Sequence, residues 1–149
     1  LFMRSLIPHT GTMCLLDYVE MFDDLRIVCR ASSHHRQDNP LRYRDRLSVQ
    51  AGIEYAAQAV AAHGSLLAQQ GGNAPSPRGG MIAVLTDIHW HTDRLDTFPE
   101  DLAVMAEKLA DLPQGLNYRF SLSAGQQRLL DGELIIALQD IVPAVATPI

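Results

Sequence analysis

Two short runs rich in apolar and β-branched residues open the chain, Met13 to Met21 and Leu25 to Ala31. Phe22-Asp23-Asp24 lies between them and reads as a hairpin turn. A polar, arginine-rich stretch follows from Ser32 to Arg46. From Val49 to Ala68 the pattern changes: Ser48 stands at an N-cap position, alanines dominate, and Gly71 or Gly72 can end the run. This predicts one long helix. It lacks a charged face, so the rest of the chain is expected to enclose it. The glycine- and proline-rich stretch from Gln70 to Gly80 reads as a surface connection. Four more strands are expected beyond it, at Met81 to Trp90, Leu102 to Leu109, Leu116 to Leu122 and Glu133 to Gln139. Asp131-Gly132 is the expected turn between the last two. Two strands, one long helix and then several antiparallel strands make an α+β chain rather than an alternating βαβ one.

A length of 149 residues suits a single domain, 1–149, around one core. With 47% hydrophobic and 19% charged residues the chain is of globular rather than disordered composition. The net charge of -5 argues against nucleic acid as a partner. No apolar run reaches the length of a membrane span, and Leu1 to Pro8 lacks the apolar stretch of a secretory leader. Cys14 and Cys29 sit far apart in apolar runs, as reduced thiols of a cytoplasmic protein would.

One charge stands out. Between Arg46 and Arg78 the sole charged residue is Glu54, flanked at helical spacing by Gln50 and Gln58. Burying a carboxyl in an apolar helix disfavours its charged form and raises its pKa, which suits acid–base work near neutral pH. A carboxyl so placed can equally be a structural acceptor for loop backbone, and the residues alone leave both open.

Three segments together resemble a known family. Leu6-Ile7-Pro8-His9, running on to Leu15-Leu16-Asp17, is similar to the opening of FabA/FabZ-type 3-hydroxyacyl-acyl-carrier-protein dehydratases. Glu54-Tyr55-Ala56-Ala57-Gln58-Ala59 looks like their central helix, and Asp131-Gly132-Glu133 like their last hairpin. The resemblance implies a hot-dog fold, an antiparallel sheet wrapped around one long helix, assembled as a homodimer or as a heterodimer with another hot-dog dehydratase. It implies a substrate carried on the phosphopantetheine of acyl carrier protein, with no cofactor and no metal. Glu54 carries over as catalytic, and Gln58 and Gly52 as substrate-binding residues at the helix start. The family's histidine, fourteen residues before the glutamate, falls at Pro40, and its Pro-Gly at the helix start is Ser48-Val49. In this the chain looks similar to divergent members of aryl-polyene-type pathways that act beside a second dehydratase-like subunit.

His34 and His35 precede the displaced position, and either is a candidate acid, or simply a loop residue. His9 matches a structural position of the family. His89 and His91 share one strand face at a spacing metals use, without a clear third ligand. Arg36, Arg42, Arg44 and Arg46 make a basic cluster in an acidic chain, the last three suited to a carrier protein or the phosphate of its prosthetic arm, or to plain solvation. Three functions follow: a dehydratase, a catalytically incomplete partner of one, or a hot-dog thioesterase in which the lone Glu54 activates water.

Overall fold

The computed structural model describes residues 3, 6–7, 11–72 and 80–138. Six strands form one antiparallel sheet: β1 Tyr18–Phe22, β2 Arg26–Ala31, β3 Gly80–Trp90, β4 Leu102–Leu112, β5 Gly115–Ala124 and β6 Gln127–Leu138. Their order across the sheet is β1-β2-β4-β5-β6-β3. A single long helix, α1 Gly52–Gln70, lies against β2, β4 and β5. A sheet folded around one helix is the hot-dog arrangement.

The period-2 alternation of the strands gives the sheet two unlike faces. Cys29, Val104, Leu122 and Leu130 stand opposite one another across β2, β4, β5 and β6, and all four are fully buried on the helix side. The outer face carries a row of another kind, in which Arg26, Glu107, Arg119 and Glu133 face one another in turn. Opposite charges at directly paired positions favour this register, and the row is the solvated side.

The hairpin between β1 and β2 is as expected: the Asp23 carboxylate accepts from the N–H groups of Leu25 (2.9 Å) and Arg26 (2.8 Å). Those two bonds hold its pKa below the usual carboxylate range. The helix also starts and stops where its sequence signals it. Ser48 Oγ accepts from Gln50 N–H at the head of a 3-10 turn, Val49–Ala51, that leads into α1, and Gly71 caps the far end.

Several expectations need correction. Met13 to Asp17 is not strand; a 3-10 turn, Gly11–Met13, occupies its start and β1 begins only at Tyr18. Asp131-Gly132 is not a turn but lies within β6, whose strand starts at Gln127. The chain reverses at Gly125-Gln126, where Gly125 has φ 60, the conformation a two-residue hairpin asks of its first central residue. Gly132 is a glycine for another reason: a Cβ there would run into Ile88 Cδ1 and lie 3.3 Å from Phe120 Cζ.

His63 joins three elements at the middle of the helix. Its Nε2–H donates to the carbonyl of Asp23 (2.7 Å), and its Nδ1 faces the Tyr118 hydroxyl at 2.5 Å. A neutral ring satisfies both bonds, with Tyr118 as donor to Nδ1. Burial holds the imidazole below its ordinary pKa and pushes the Tyr118 phenol up. Because the folded-state value is the lower one, this group's contribution is complete above the unfolded pKa of about 6.5 and is lost as pH falls through the folded value. Urea unfolding of the wild type should therefore lose stability between pH 7 and pH 5 more steeply than that of His63→Gln. At pH 7 the variant should cost about 1–3 kcal/mol, because it disrupts the buried bonds to Tyr118 and Asp23.

Candidate active site

Glu54 stands on the first turn of α1 and is half-buried, not fully enclosed as its surroundings in the sequence suggested. Gln58, one turn on, is fully buried and holds the site together. Its Oε1 accepts from the N–H of Leu15 (2.9 Å), while its Nε2 donates to the carbonyl of Met13 (2.7 Å) and reaches Glu54 Oε1 at 3.5 Å. The polar stripe on the helix thus ties the carboxyl to the segment before β1. Gln50 lies exposed at the start of the stripe.

Gly52 lets the helix start sit down on the sheet. A Cβ there would lie 2.7 Å from Leu130 Cδ2 and 3.0 Å from Leu122 Cδ2. Its N–H points back to the carbonyls of Gln50 and Val49 within the preceding 3-10 turn.

A buried network beside Glu54 could not be anticipated from residue types. Tyr55, the neighbouring residue in an alanine-rich helix, is fully buried. Its hydroxyl lies 2.6 Å from Ser33 Oγ and accepts from Asn39 Nδ2 at 3.1 Å. Ser33 Oγ donates to the Leu15 carbonyl (2.8 Å), so Tyr55 donates to Ser33. Asn39 Nδ2 also reaches the Ser33 carbonyl at 2.9 Å. Residues 33–39 are therefore pinned to the helix. Pro40 follows, exposed and with no group that exchanges protons.

His34 and His35 belong to a 3-10 turn, Ser33–His35, and stack with ring centroids 3.8 Å apart. His34 is buried, with Nε2 facing the carbonyls of Phe98 (3.1 Å) and Glu100 (3.0 Å). Its pKa is lowered, first by burial and then by the neighbouring His35. His35 is exposed and its Nε2 meets the same Phe98 carbonyl at 2.6 Å. Both rings are engaged through Nε2 on the loop that leads into β4, while the buried Nδ1 of His34 has no hydrogen-bond partner among the described residues.

The arginines separate into two kinds. Arg42 is knotted into the fold, donating to the carbonyls of Arg36 (2.7 Å), His34 (3.3 Å) and Asp45 (3.3 Å), with Asp96 3.8 Å away. Asp96 takes a two-pronged contact from Arg94 (3.0 and 2.7 Å), which holds its carboxyl down at about 2. Arg44 and Arg46 are exposed on a two-residue hairpin closed by Tyr43 N–H to Arg46 C=O (2.9 Å) and its reciprocal bond (3.1 Å). Arg44 (φ 52) and Asp45 (φ 65) both take the left-handed conformation, at a cost of about 1–2 kcal/mol each for non-glycine residues.

The remaining candidates lie elsewhere. His89 pairs with Asp87 (3.2 Å) and His91 with Asp131 (3.0 Å), and no three His, Cys, Asp or Glu side chains converge for a metal among the described residues. Burial pushes the Cys29 thiol up to about 12, so it is a packing residue. His9 lies outside the described residues. No described helix is long and apolar enough to cross a membrane.

The sheet wrapped around one helix, with a carboxyl on the first helical turn, defines a hot-dog protein. The family model described as ApeP dehydratase matches residues 2–142, and the chain belongs to this ApeP-like family. Among solved structures it is similar to the dehydratase heterocomplex ApeI:P from Xenorhabdus doucetiae, at 19% identity and TM-score 0.82, over 93% of this chain and 91% of that one. AziG from S. sahachiroi shares 13% identity and TM-score 0.62, with 91% and 99% covered. A hypothetical thioesterase with coenzyme A from Streptococcus pneumoniae TIGR4 shares 10% and TM-score 0.55, with 82% and 84% covered. At these identities the likeness is one of fold. No curated protein matches the sequence.

Proposed function

We propose that this chain is one subunit of a dehydratase heterodimer acting on a 3-hydroxyacyl thioester of acyl carrier protein. Glu54 carries the reading. It is a half-buried carboxyl on the first turn of the central helix, oriented by Gln58, in a family described by dehydration. Elimination of water needs two proton-handling groups. One takes the α-proton; the electron pair forms the C=C bond as the C–O bond breaks, and the other protonates the departing hydroxyl. Glu54 supplies one of these. The second comes from a hot-dog partner bearing the family histidine, because Pro40 stands at that position here. The likeness to the ApeI:P heterocomplex supports a mixed assembly.

The free edge of the sheet is suited to that partner. β3 is an outer strand, and Met81, Val84, Leu85 and Trp90 on it are exposed apolar side chains. A long apolar edge strand invites pairing with another strand. Incubation of the mixed complex with 3-hydroxyacyl and acyl carrier-protein thioesters tests the chemistry. The 2-enoyl thioester should appear from the first substrate; free acid from either would instead indicate a thioesterase.

Arg44 and Arg46, on their strained exposed hairpin ahead of the helix, are suited to the acidic carrier protein. Replacing both by Ser should weaken carrier-protein binding roughly tenfold at low salt and flatten its salt dependence. Titration at two ionic strengths checks this, and unchanged affinity would leave the pair as plain surface charge. Arg42 stays in place in that variant, since it holds the fold together.

A further inference from the structure

Tyr55 and Gln58, three residues apart near the start of α1, grip one residue of the segment before β1 from both sides. Gln58 Oε1 takes the Leu15 N–H directly at 2.9 Å. Tyr55 reaches the Leu15 carbonyl through the buried Ser33 Oγ, by bonds of 2.6 and 2.8 Å. This network has one polarity. Asn39 Oδ1 accepts from the Leu41 N–H at 2.9 Å, which leaves its Nδ2 to donate to the Tyr55 oxygen at 3.1 Å. Tyr55 then donates to Ser33, and Ser33 to Leu15, so each buried hydroxyl gives its one proton. The same loop ties the segment a second time, from Arg36 to the Thr12 carbonyl (3.2 Å), but that bond is exposed.

The consequence falls on Gln58. The two ends of a side-chain amide are alike in size and opposite in hydrogen-bonding character, so neighbours decide which way it turns. The Leu15 N–H demands its oxygen, and the Met13 carbonyl demands its nitrogen. With both in place an amide N–H, not an oxygen, faces Glu54 Oε1 at 3.5 Å. A donor there steadies the carboxylate, whereas an amide oxygen would repel it. We infer that Tyr55 is a positioning residue for Glu54: its hydroxyl, through Ser33 and Leu15, fixes the Gln58 amide with an N–H toward the carboxyl. Its role rests on the reading of Glu54 as a proton-handling group in the mixed complex. Such a group must be held in reacting geometry, and a displacement of about 1 Å can cost ~10²-fold in rate.

Tyr55→Phe removes one oxygen and keeps the ring in the core. In the mixed complex it should lower kcat roughly ten- to a hundredfold and leave KM within about twofold, since the effect falls on the chemical step rather than on binding. Ser33→Ala should do the same, and the double variant no more than either alone, because both break one chain of bonds. In a Gln58→Leu background, Tyr55→Phe should have no further effect on kcat. An equal loss in both backgrounds would mean that Tyr55 acts by another route, which overturns the inference. Unchanged kcat in both single variants overturns it, and so does unfolding of both, which would make the network plain structure. A second readout needs no turnover. In the full chain labelled with 15N-glutamine, the Gln58 side-chain amide protons are assigned by their loss in Gln58→Leu. They should exchange with solvent about tenfold faster, or more, in Tyr55→Phe and in Ser33→Ala. Exchange at the wild-type rate overturns the inference. Faster exchange in a chain whose mixed complex does not dehydrate would remove the dehydratase reading and leave the coupling of Tyr55 to Gln58 standing.

Discussion

Glu54→Gln in the mixed complex should lower kcat/KM for dehydration by roughly 10²- to 10⁴-fold, the span of a lost general acid or base. The substitution keeps the shape of the side chain and can keep its contact with Gln58, whose amide is anchored independently on Met13 and Leu15. Thermal stability should accordingly stay within about 1 kcal/mol of the wild type. Circular dichroism melts beside turnover separate the roles: a large activity loss with an unchanged melt marks a proton-handling group, and a matched loss of both marks a structural one.

The second large effect concerns assembly. Leu85 stands opposite Leu134, which is buried on the helix side, yet Leu85 itself is 39% exposed on the sheet edge. Leu85→Lys places a charge where the partner would cover it. Association should weaken at least roughly a hundredfold, as about 3 kcal/mol for an unpaired buried charge implies. Light scattering at micromolar concentration should then report the mass of a single chain. An intact assembly would move the interface away from β3.

Much of this fold is written in short-range patterns. The helix is legible from Ser48, its alanines and Gly71, because capping and propensity act within a few residues. The strands are legible from alternation, though their ends are not. Asp131-Gly132 misleads because its glycine answers to Ile88 and Phe120, which lie on neighbouring strands, whereas the real turn at Gly125 carries a weaker dipeptide signal. Glu54 and Gln58 stand out in the sequence through spacing and the absence of other charges. What joins them to function is tertiary. Tyr55, Ser33 and Asn39 form one buried network across 22 and 16 residues of separation, and no local signal announces it. The same holds for the arginines: Arg42 and Arg44 look alike in sequence, and only the fold separates a half-buried knot from an exposed tip.

The central claim is that this chain supplies Glu54 to a site completed by another subunit. The most direct measurement uses a histidine-bearing hot-dog partner whose own helix glutamate has been changed to glutamine, so that Glu54 is the only such carboxyl in the complex. Formation of 2-enoyl thioester from a 3-hydroxyacyl carrier-protein substrate is followed for each chain alone and for the mixture. Negligible turnover by either chain, clear turnover by the mixture, and its loss with Glu54→Gln are the predicted results. Vigorous dehydration by this chain alone, or a mixture indifferent to Glu54→Gln, would contradict the account.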